Sequence, residues 1–154
     1  MDNIFDGYDY DKEYDCWLCI KCNHFSKLMF LIINVNNIPN GHYVLKNYVL
    51  SNQNEINNKN AEEWTALHIA AINSNRYGLG TVKLLLENGA DVNLTEKYGR
   101  TALMFARLSN TDSNLETVRL LLDKGADVNL ATKDGWTALM FAVGYSNNIV
   151  VWKL

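Results

Sequence analysis

Four residues near the start of the chain have side chains that could hold a metal ion. Three cysteines and one histidine lie within nine positions: Cys16, Cys19, Cys22 and His24. Thiolate and imidazole groups are the preferred ligands of Zn²⁺, and four of them complete a tetrahedral site. Structural zinc sites, however, usually join two ligand pairs across a longer loop. The alternative is that the cysteines pack as small apolar residues beside Trp17, and we favour that interpretation over a zinc-binding N-terminal module.

The rest of the chain offers no recognisable catalytic arrangement. We find no Ser/His/Asp motif, no phosphate-binding loop and no paired carboxylates. Gly78-Leu79-Gly80 lacks the preceding strand and the lysine of a phosphate site. We therefore predict a protein that is not an enzyme and uses no cofactor.

Composition narrows the classes of partner. The 154 residues carry a formal net charge of −3, with 48% apolar and 20% charged residues. This balance lacks the basic footprint of a nucleic-acid-binding protein. The longest apolar run, residues 28–33, is too short for a membrane span. With an odd number of cysteines and no secretory signal, the sequence predicts an intracellular, cytoplasmic protein that binds neither nucleic acid nor membrane.

The strongest pattern in the chain is a repeat of 36 residues. Thr-Ala-Leu occurs at residues 65–67, 101–103 and 137–139. Gly-Ala-Asp-Val-Asn-Leu occurs at residues 89–94 and again at 125–130. Such spacing is the mark of stacked units, none of which can bury its apolar side alone.

Each unit has the signals of two helices and an extended connection. Thr65 and its equivalents can cap a first helix that is rich in small residues. A leucine triplet marks the second helix, which ends at Gly89 or its equivalent, where a left-handed conformation stops a helix. Asp-Val-Asn then begins an extended finger, and Gly99 turns the chain towards the next threonine.

This order of motifs resembles the ankyrin repeat. The resemblance rests on Thr-Ala-Leu-His, on Leu-Leu-Leu-x-x-Gly-Ala-Asp-Val-Asn and on Gly-x-Thr. Three residues more than the usual ankyrin period of about 33 lie in the turn between the helices. The resemblance implies an all-α ankyrin solenoid of helix-turn-helix units with short extended fingers. It also implies that His68 stabilises a helix start together with Thr65.

The repeat defines the expected domains. We predict an acidic, cysteine-containing N-terminal segment at residues 1–28 and an ankyrin-repeat domain at residues 29–154. The predicted repeats comprise one degenerate unit, two full units and one truncated unit: 29–64, 65–100, 101–136 and 137–154. The apolar residues after the last Thr-Ala-Leu lack a following layer. They predict either self-association through that end or, as an alternative function, a non-functional remnant of a longer array.

The resemblance also implies where a partner protein would bind. Ankyrin stacks bind through their finger tips and the exposed side of their first helices, on the concave face. The residues predicted to contact a partner are Trp64, Lys97, Tyr98, Arg100, Lys133, Asp134, Trp136 and Tyr145. Trp, Tyr and Arg often dominate binding energy. The alternative for Trp64 and Trp136 is that they pack against neighbouring fingers.

The abundance of Asn, together with Thr-Ala-Leu-Met-Phe-Ala repeats, resembles the ankyrin proteins of giant DNA viruses of amoebae. That resemblance implies a viral protein that binds host factors, acting as an adaptor in the host cell. The sequence predicts protein binding without naming the partner, because variable surface positions choose the ligand of a repeat scaffold.

Overall fold

The computed structural model describes residues 14–16, 20–22, 26–73, 78–106 and 112–144. It contains a short antiparallel hairpin of β1 (Tyr14–Cys16) and β2 (Ile20–Cys22), with Cys16 opposite Ile20. The helices that follow are α1 (Lys27–Asn34), α2 (Gly41–Ser51), α3 (Ala66–Ile72), α4 (Gly78–Glu87), α5 (Ala102–Phe105), α6 (Asp112–Asp123) and α7 (Ala138–Gly144). A 3₁₀ turn at Gln53–Glu55 follows α2.

The helices stack in two layers. The inner helices α1, α3, α5 and α7 contact one another in chain order, and the outer helices α2, α4 and α6 do the same. Each inner helix up to α5 also packs against the outer helix that follows it. The predicted all-α solenoid of helix-turn-helix units is confirmed. Within the described ranges, no helix is both long and apolar enough to cross a membrane.

Small residues allow the inner helices to approach closely. All seven residues of α3 are buried, and Ala70 and Ala71 are completely inaccessible. The outer helices contribute larger apolar side chains at one repeated position, where Val49, Leu85 and Leu121 are all fully buried. Burial of one such side chain stabilises a fold by about 1.5–3 kcal/mol, so the stacked layers form one continuous core.

Glycine ends the outer helices α4 and α6, as predicted for the two full repeats. Gly89 follows α4 with φ of 94°, and the amide of Ala90 donates to the carbonyl of Leu85 at 3.0 Å. Gly125 repeats this arrangement after α6 with φ of 86°. The left-handed residue lets the chain reverse and satisfies a carbonyl at the end of the helix. The chain can then enter the extended connection at the same place in each layer.

The first inner helix departs from the repeat register. α1 begins at Lys27, ahead of the predicted boundary at residue 29. The cause is Ser26, whose hydroxyl accepts the amide of Met29 at 3.2 Å and caps the helix. Position 29 itself carries methionine, where the later units have the capping threonine.

The predicted threonine caps are only partly correct. Thr65 and His68 form a reciprocal capping box, as the resemblance implied: the Thr65 hydroxyl accepts the His68 amide, and His68 Nδ1 accepts the Thr65 amide at 3.0 Å. The prediction is wrong for Thr101, whose hydroxyl makes no cap bond. The amide of Met104 bonds the Thr101 carbonyl instead, and a methionine side chain cannot return a bond to the cap. The buried Thr101 hydroxyl therefore has no partner among the described residues.

We expect Met104→His to stabilise the protein. The imidazole would bond the orphaned Thr101 hydroxyl, as His68 does with Thr65, and a satisfied buried hydrogen bond contributes about 1 kcal/mol. The free energy of unfolding, measured by urea denaturation, should rise by about that amount. Met140→His is the matched control, because Met140 is 51% exposed. A gain of the same size in both variants would contradict the role assigned to burial of the cap.

Candidate functional site

The candidate site is a row of three fingers, the extended segments at residues 58–64, 94–100 and 130–136 that precede α3, α5 and α7. Isolated antiparallel bridges join Thr95 to Thr101 and Ala131 to Thr137 at the base of the second and third fingers. Each finger leads directly into an inner helix.

A side-chain oxygen closes each finger from the inside. Asn60, Glu96 and Thr132 occupy equivalent positions, and each accepts the backbone amide of the residue four positions later, at 2.8, 3.0 and 3.0 Å. Three different residue types therefore accept the same main-chain hydrogen bond in the three fingers. We did not identify them from the sequence, although their spacing of 36 residues and their shared ability to accept a hydrogen bond were visible signals.

The tip of each finger needs a left-handed residue. Gly99 and Gly135 have φ of 84° and 81°, and Glu63 occupies the same position in the first finger with φ of 62°. A residue with a Cβ is disfavoured in this region, whereas glycine is not. Glu63 pairs with Lys59 at 3.0 Å across its finger.

Main-chain hydrogen bonds fix the fingers to one another. The amide of Lys97 donates to the carbonyl of Glu62 at 3.1 Å, and the amide of Lys133 donates to the carbonyl of Tyr98 at 2.9 Å. Because these bonds use only backbone atoms, the side chains at the tips stay free to vary. The fingers thus form a continuous and rigid row.

Four of the predicted contact residues lie exposed on this row: Lys97, Tyr98, Lys133 and Asp134. Tyr98 is 55% exposed, and its ring stands out from the tip of the second finger. Lys97 pairs with Glu62 of the neighbouring finger at 3.0 Å, and this partner raises the pKa of Lys97 above its usual range. The row therefore presents an aromatic ring among charges of both signs.

Arg100 holds Tyr98 in place. Its Nε donates to the buried carboxylate of Glu96 at 3.1 Å. Its guanidinium lies 5.2 Å from the centre of the Tyr98 ring and 5.0 Å from that of Phe105. Cation–π contacts of this kind favour one orientation of the ring. Arg100 itself is one-third exposed, so it can meet a partner only at its edge.

Trp64 packs in the core, and its predicted place on the binding surface is revised. It is only 3% exposed, and its ring lies 4.6 Å from Phe105 and 5.8 Å from His68. Phe105 comes from the next inner helix, so Trp64 joins two layers of the stack. Both rings belong to inner helices, so Trp64 is a core residue as the alternative required, but its ring contacts are with α3 and α5 and not with the neighbouring finger.

The remaining predicted contacts differ in their surroundings. Trp136 is half-buried and meets Phe141 edge-on at 5.6 Å, so part of its ring faces outwards. Tyr145 lies outside the described residues. The line of three equivalent side chains therefore consists of a buried Trp64, a partly exposed Arg100 and a half-buried Trp136.

The proposed metal ligands are mostly beyond what the structure describes. Cys19 and His24 lie outside the described residues, and Cys16 and Cys22 are described only as backbone positions of β1 and β2. Elsewhere in the described ranges, no group of three His, Cys, Asp or Glu side chains could hold a metal ion. The zinc interpretation stays a prediction.

His68 links the start of α3 to the second finger. Its Nδ1 accepts the Thr65 amide, so its Nε2 carries the proton and donates to the carbonyl of Leu94 at 3.0 Å. Burial lowers the pKa of His68 to about 4, since a buried imidazolium lacks hydration. A proton added at Nδ1 would also oppose the Thr65 amide. The neutral ring thus ties the helix start to the finger.

Comparisons with known proteins agree with this architecture. A family model described as ankyrin repeats (3 copies) matches residues 17–132 and 76–154. Ankyrin repeat protein L91 of Acanthamoeba polyphaga mimivirus is 44% identical over 99 residues, which cover 60% of this chain and 15% of that protein. Protein L86 of the same virus is 45% identical over 96 residues, covering 62% and 16%. Protein L289 is 43% identical over 93 residues, covering 58% and 17%.

These relatives are far longer than the chain, which matches between 15% and 17% of their length. The similarity to the ankyrin proteins of a giant DNA virus, predicted from the motifs and composition, is confirmed.

The finger geometry predicts different costs for the same substitution at two glycines. At Gly135 a Cβ would meet nothing within 4 Å, so Gly135→Ala should cost only the left-handed penalty of about 1 kcal/mol. At Gly99 a Cβ would lie 3.1 Å from backbone atoms of Thr132 and Lys133. Gly99→Ala should therefore cost more in urea unfolding, because the neighbouring finger must also move. Equal losses in the two variants would contradict the close contact between the fingers.

The burial of His68 predicts a dependence of stability on pH. The pKa of His68 is lowered from 6.5 in the unfolded chain to about 4 in the folded state. The contribution of the neutral His68 ring to the free energy of unfolding is therefore complete above pH 6.5 and is lost as the pH falls towards 4. The contribution to the free energy of unfolding should fall by about 2 kcal/mol between about pH 7 and about pH 5.

His68→Met, which copies the residue at position 104, is the control for this titration. It should remove that part of the slope and leave the contribution of the carboxylates. An unchanged slope in His68→Met would show that another group causes the pH dependence.

Proposed function

The chain belongs to the ankyrin-repeat family, and on that premise we propose that it binds a partner protein through its finger row. Ankyrin repeats are in general protein–protein interaction modules without enzymatic activity. The proposed contact residues on the row are Lys97, Tyr98, Arg100, Lys133, Asp134 and Trp136.

Tyr98 is the observation that carries the proposal. More than half of its surface is exposed, yet its backbone amide is bonded to Glu96 at 2.9 Å and its ring rests against the Arg100 guanidinium. A rigid aromatic side chain loses little conformational freedom on binding, which makes it an efficient contact. Tyrosines at interface hot spots typically cost about 2 kcal/mol or more of binding free energy when they are truncated.

The charges around Tyr98 favour a partner with polar groups of both signs. Lys97 and Glu62 form an exposed ion pair on one side, and Lys133 and Asp134 lie exposed on the next finger. Exposed charges of this kind add little affinity, but they reject partners with a poorly matched surface. We expect a folded protein surface or an extended segment that carries alternating charges around an apolar pocket for the tyrosine.

The viral relatives support a narrower form of the proposal. Because the similar proteins come from a virus of Acanthamoeba, we propose that the partner is a host protein and that the chain acts as an adaptor in the host-cell cytoplasm.

The test is capture of partners from an Acanthamoeba lysate with the immobilised full chain, comparing Tyr98→Ala with Tyr43→Ala. Tyr43 is 68% exposed on α2 and is thus an equally accessible tyrosine away from the fingers. A specific partner should be retained by Tyr43→Ala and lost from Tyr98→Ala. The affinity for the identified partner should fall by about 30-fold, the equivalent of roughly 2 kcal/mol.

Both variants must first give the same helical circular dichroism and the same melting temperature as the natural chain. A partner that binds Tyr98→Ala as tightly as the natural chain would remove the finger row from the proposal. Capture lost from Tyr43→Ala and retained by Tyr98→Ala would place the binding surface on the outer helices instead.

A further inference from the structure

The stacking of the outer helices changes between the first pair and the second. On α4, Val82 is fully buried and Leu86 is only 9% exposed. The equivalent residues of α2, 36 positions earlier, are Lys46, which is exposed, and Leu50, which is 50% exposed. α2 also packs less extensively against α4 than α4 does against α6. A lysine thus stands at a position that the next unit buries, and an ammonium group resists burial unless it is paired.

A cleft of about 310 Å³ lies between α2 and α4. Its apolar lining consists of Leu45, which is 1% exposed, and the half-buried Leu84. Gly80 also lines the cleft, and a Cβ added there would meet nothing within 4 Å. The equivalent positions of α2 and α6 carry Val44 and Glu116. The missing side chain at residue 80 therefore leaves the cleft open on the α4 side.

The polar lining of the cleft is mainly basic, although the chain as a whole carries a formal net charge of −3. His42, Lys46 and Lys83 line the cleft, together with the carboxylate of Glu87. The Lys83 ammonium lies 3.9 Å from that carboxylate, and both side chains are more than half exposed, so the pair is weak. Lys46 forms no ion pair within the described part of the chain. An unpaired cation therefore stands beside buried apolar side chains.

This combination of charge and apolar lining restricts the ligand. A wholly apolar segment would cover Lys46 without giving it a partner, which is costly. A small inorganic anion would pair with the lysines but leave Leu45 and Leu84 uncovered. An acidic segment with one large apolar side chain satisfies both parts of the cleft. That side chain covers the two leucines, and carboxylates on either side of it pair with Lys46 and Lys83.

We propose that the cleft between α2 and α4 binds an acidic peptide segment of a partner protein, with one apolar side chain of the segment inserted between the two helices. The proposal does not rest on the finger row, because none of the proposed contact residues of that row lines the cleft. The two sites can therefore be tested separately in the same chain.

The experiment uses the full chain and a labelled synthetic peptide with a central phenylalanine flanked by aspartates on both sides. Fluorescence anisotropy should show saturable binding, which weakens as NaCl is added because exposed ion pairs are screened. A peptide with asparagine for every aspartate tests the charges, and one with alanine for phenylalanine tests the apolar lining. Each should bind about tenfold more weakly or worse. Tyr98→Ala, which disables the proposed finger contact, should bind the first peptide as tightly as the natural chain does.

A matched pair of chain variants locates the peptide. Lys46→Gln/Lys83→Gln removes two positive charges from the cleft and should weaken binding about tenfold, as expected for two exposed ion pairs. Arg119→Gln/Lys124→Gln removes the same charge on and just after α6. Arg119 is the equivalent of Lys83 in the next unit. This control should leave binding unchanged, because neither of its residues lines the cleft.

A further variant fills the cleft without changing its charge. Gly80→Leu places a side chain in open space within α4, where leucine is a better helix former than glycine. It should abolish binding while the melting temperature stays at or above that of the natural chain. The melting temperature thus separates a blocked cleft from a damaged fold, and circular dichroism checks the lysine variants in the same way.

Four outcomes would overturn the proposal. The first is no saturable binding up to about 1 mM peptide, an affinity too weak for a specific site. The second is equal binding of the phenylalanine and alanine peptides, which would reduce the interaction to attraction between surface charges. The third is equal binding by the two double variants, which would place the peptide outside the cleft, as would its loss from Tyr98→Ala.

The fourth outcome concerns the acidic residues near the start of the chain, which lie outside the described residues. If Asp6→Asn/Asp9→Asn/Asp11→Asn binds the peptide more tightly than the natural chain does, the chain's own acidic segment competes for the cleft. The occupant would then be that segment and not a partner protein.

Discussion

Each helix that the structure describes in the stack has an apolar side that it cannot cover alone, and the architecture follows from the need to cover it with the next layer. The fully buried Val49, Leu85 and Leu121 recur at steps of 36 residues, because each must meet the same neighbours one layer further on. The turns of the chain obey the same constraint. Gly89 and Gly125 reverse it after the outer helices α4 and α6, and each reversal leads through an extended finger to the next inner helix.

The fingers contain positions whose side chains are not needed to stack the layers. Their shape depends on an internal acceptor, which is amide, carboxylate or hydroxyl in the three units, and on main-chain bonds between neighbours. Neither the internal acceptor nor the main-chain bonds between fingers require a particular side chain at the finger tip. Glu62, Tyr98 and Asp134 therefore differ in chemistry, while the main chain of each finger makes the same internal hydrogen bonds. In the proposed function, binding specificity therefore lies at tip positions that the fold does not constrain, so a scaffold of this kind can change its partner and keep its fold.

The sequence predicted the repeat, the two helices of each unit, the glycine ends and the finger row, because these depend on patterns within 36 residues. It did not predict which finger residues are buried. Trp64 packs beneath Phe105 of the next unit, and only the distance between layers decides that an aromatic side chain at this position is covered. The Thr101 hydroxyl makes no cap bond, although the equivalent hydroxyls of Thr65 and Thr137 do, and the buried Met104 offers it no hydrogen bond. The early start of α1 depends on Ser26, a local cap outside the repeat pattern.

The inner helices carry His68 in one unit and Met104 at the equivalent position of the next, so the second and third fingers are held by different contacts. His68 ties α3 to the carbonyl of Leu94, so the second finger is held by an inner helix as well as by Arg100 and its neighbours. At the equivalent place above the third finger, Met104 contributes apolar burial but no hydrogen bond to the finger. The second finger is thus the more firmly anchored, and it carries the exposed Tyr98. In the proposed function, this anchoring lowers the entropy that Tyr98 loses on association, so Tyr98 would contribute most of the affinity while Lys133 and Asp134 contribute specificity.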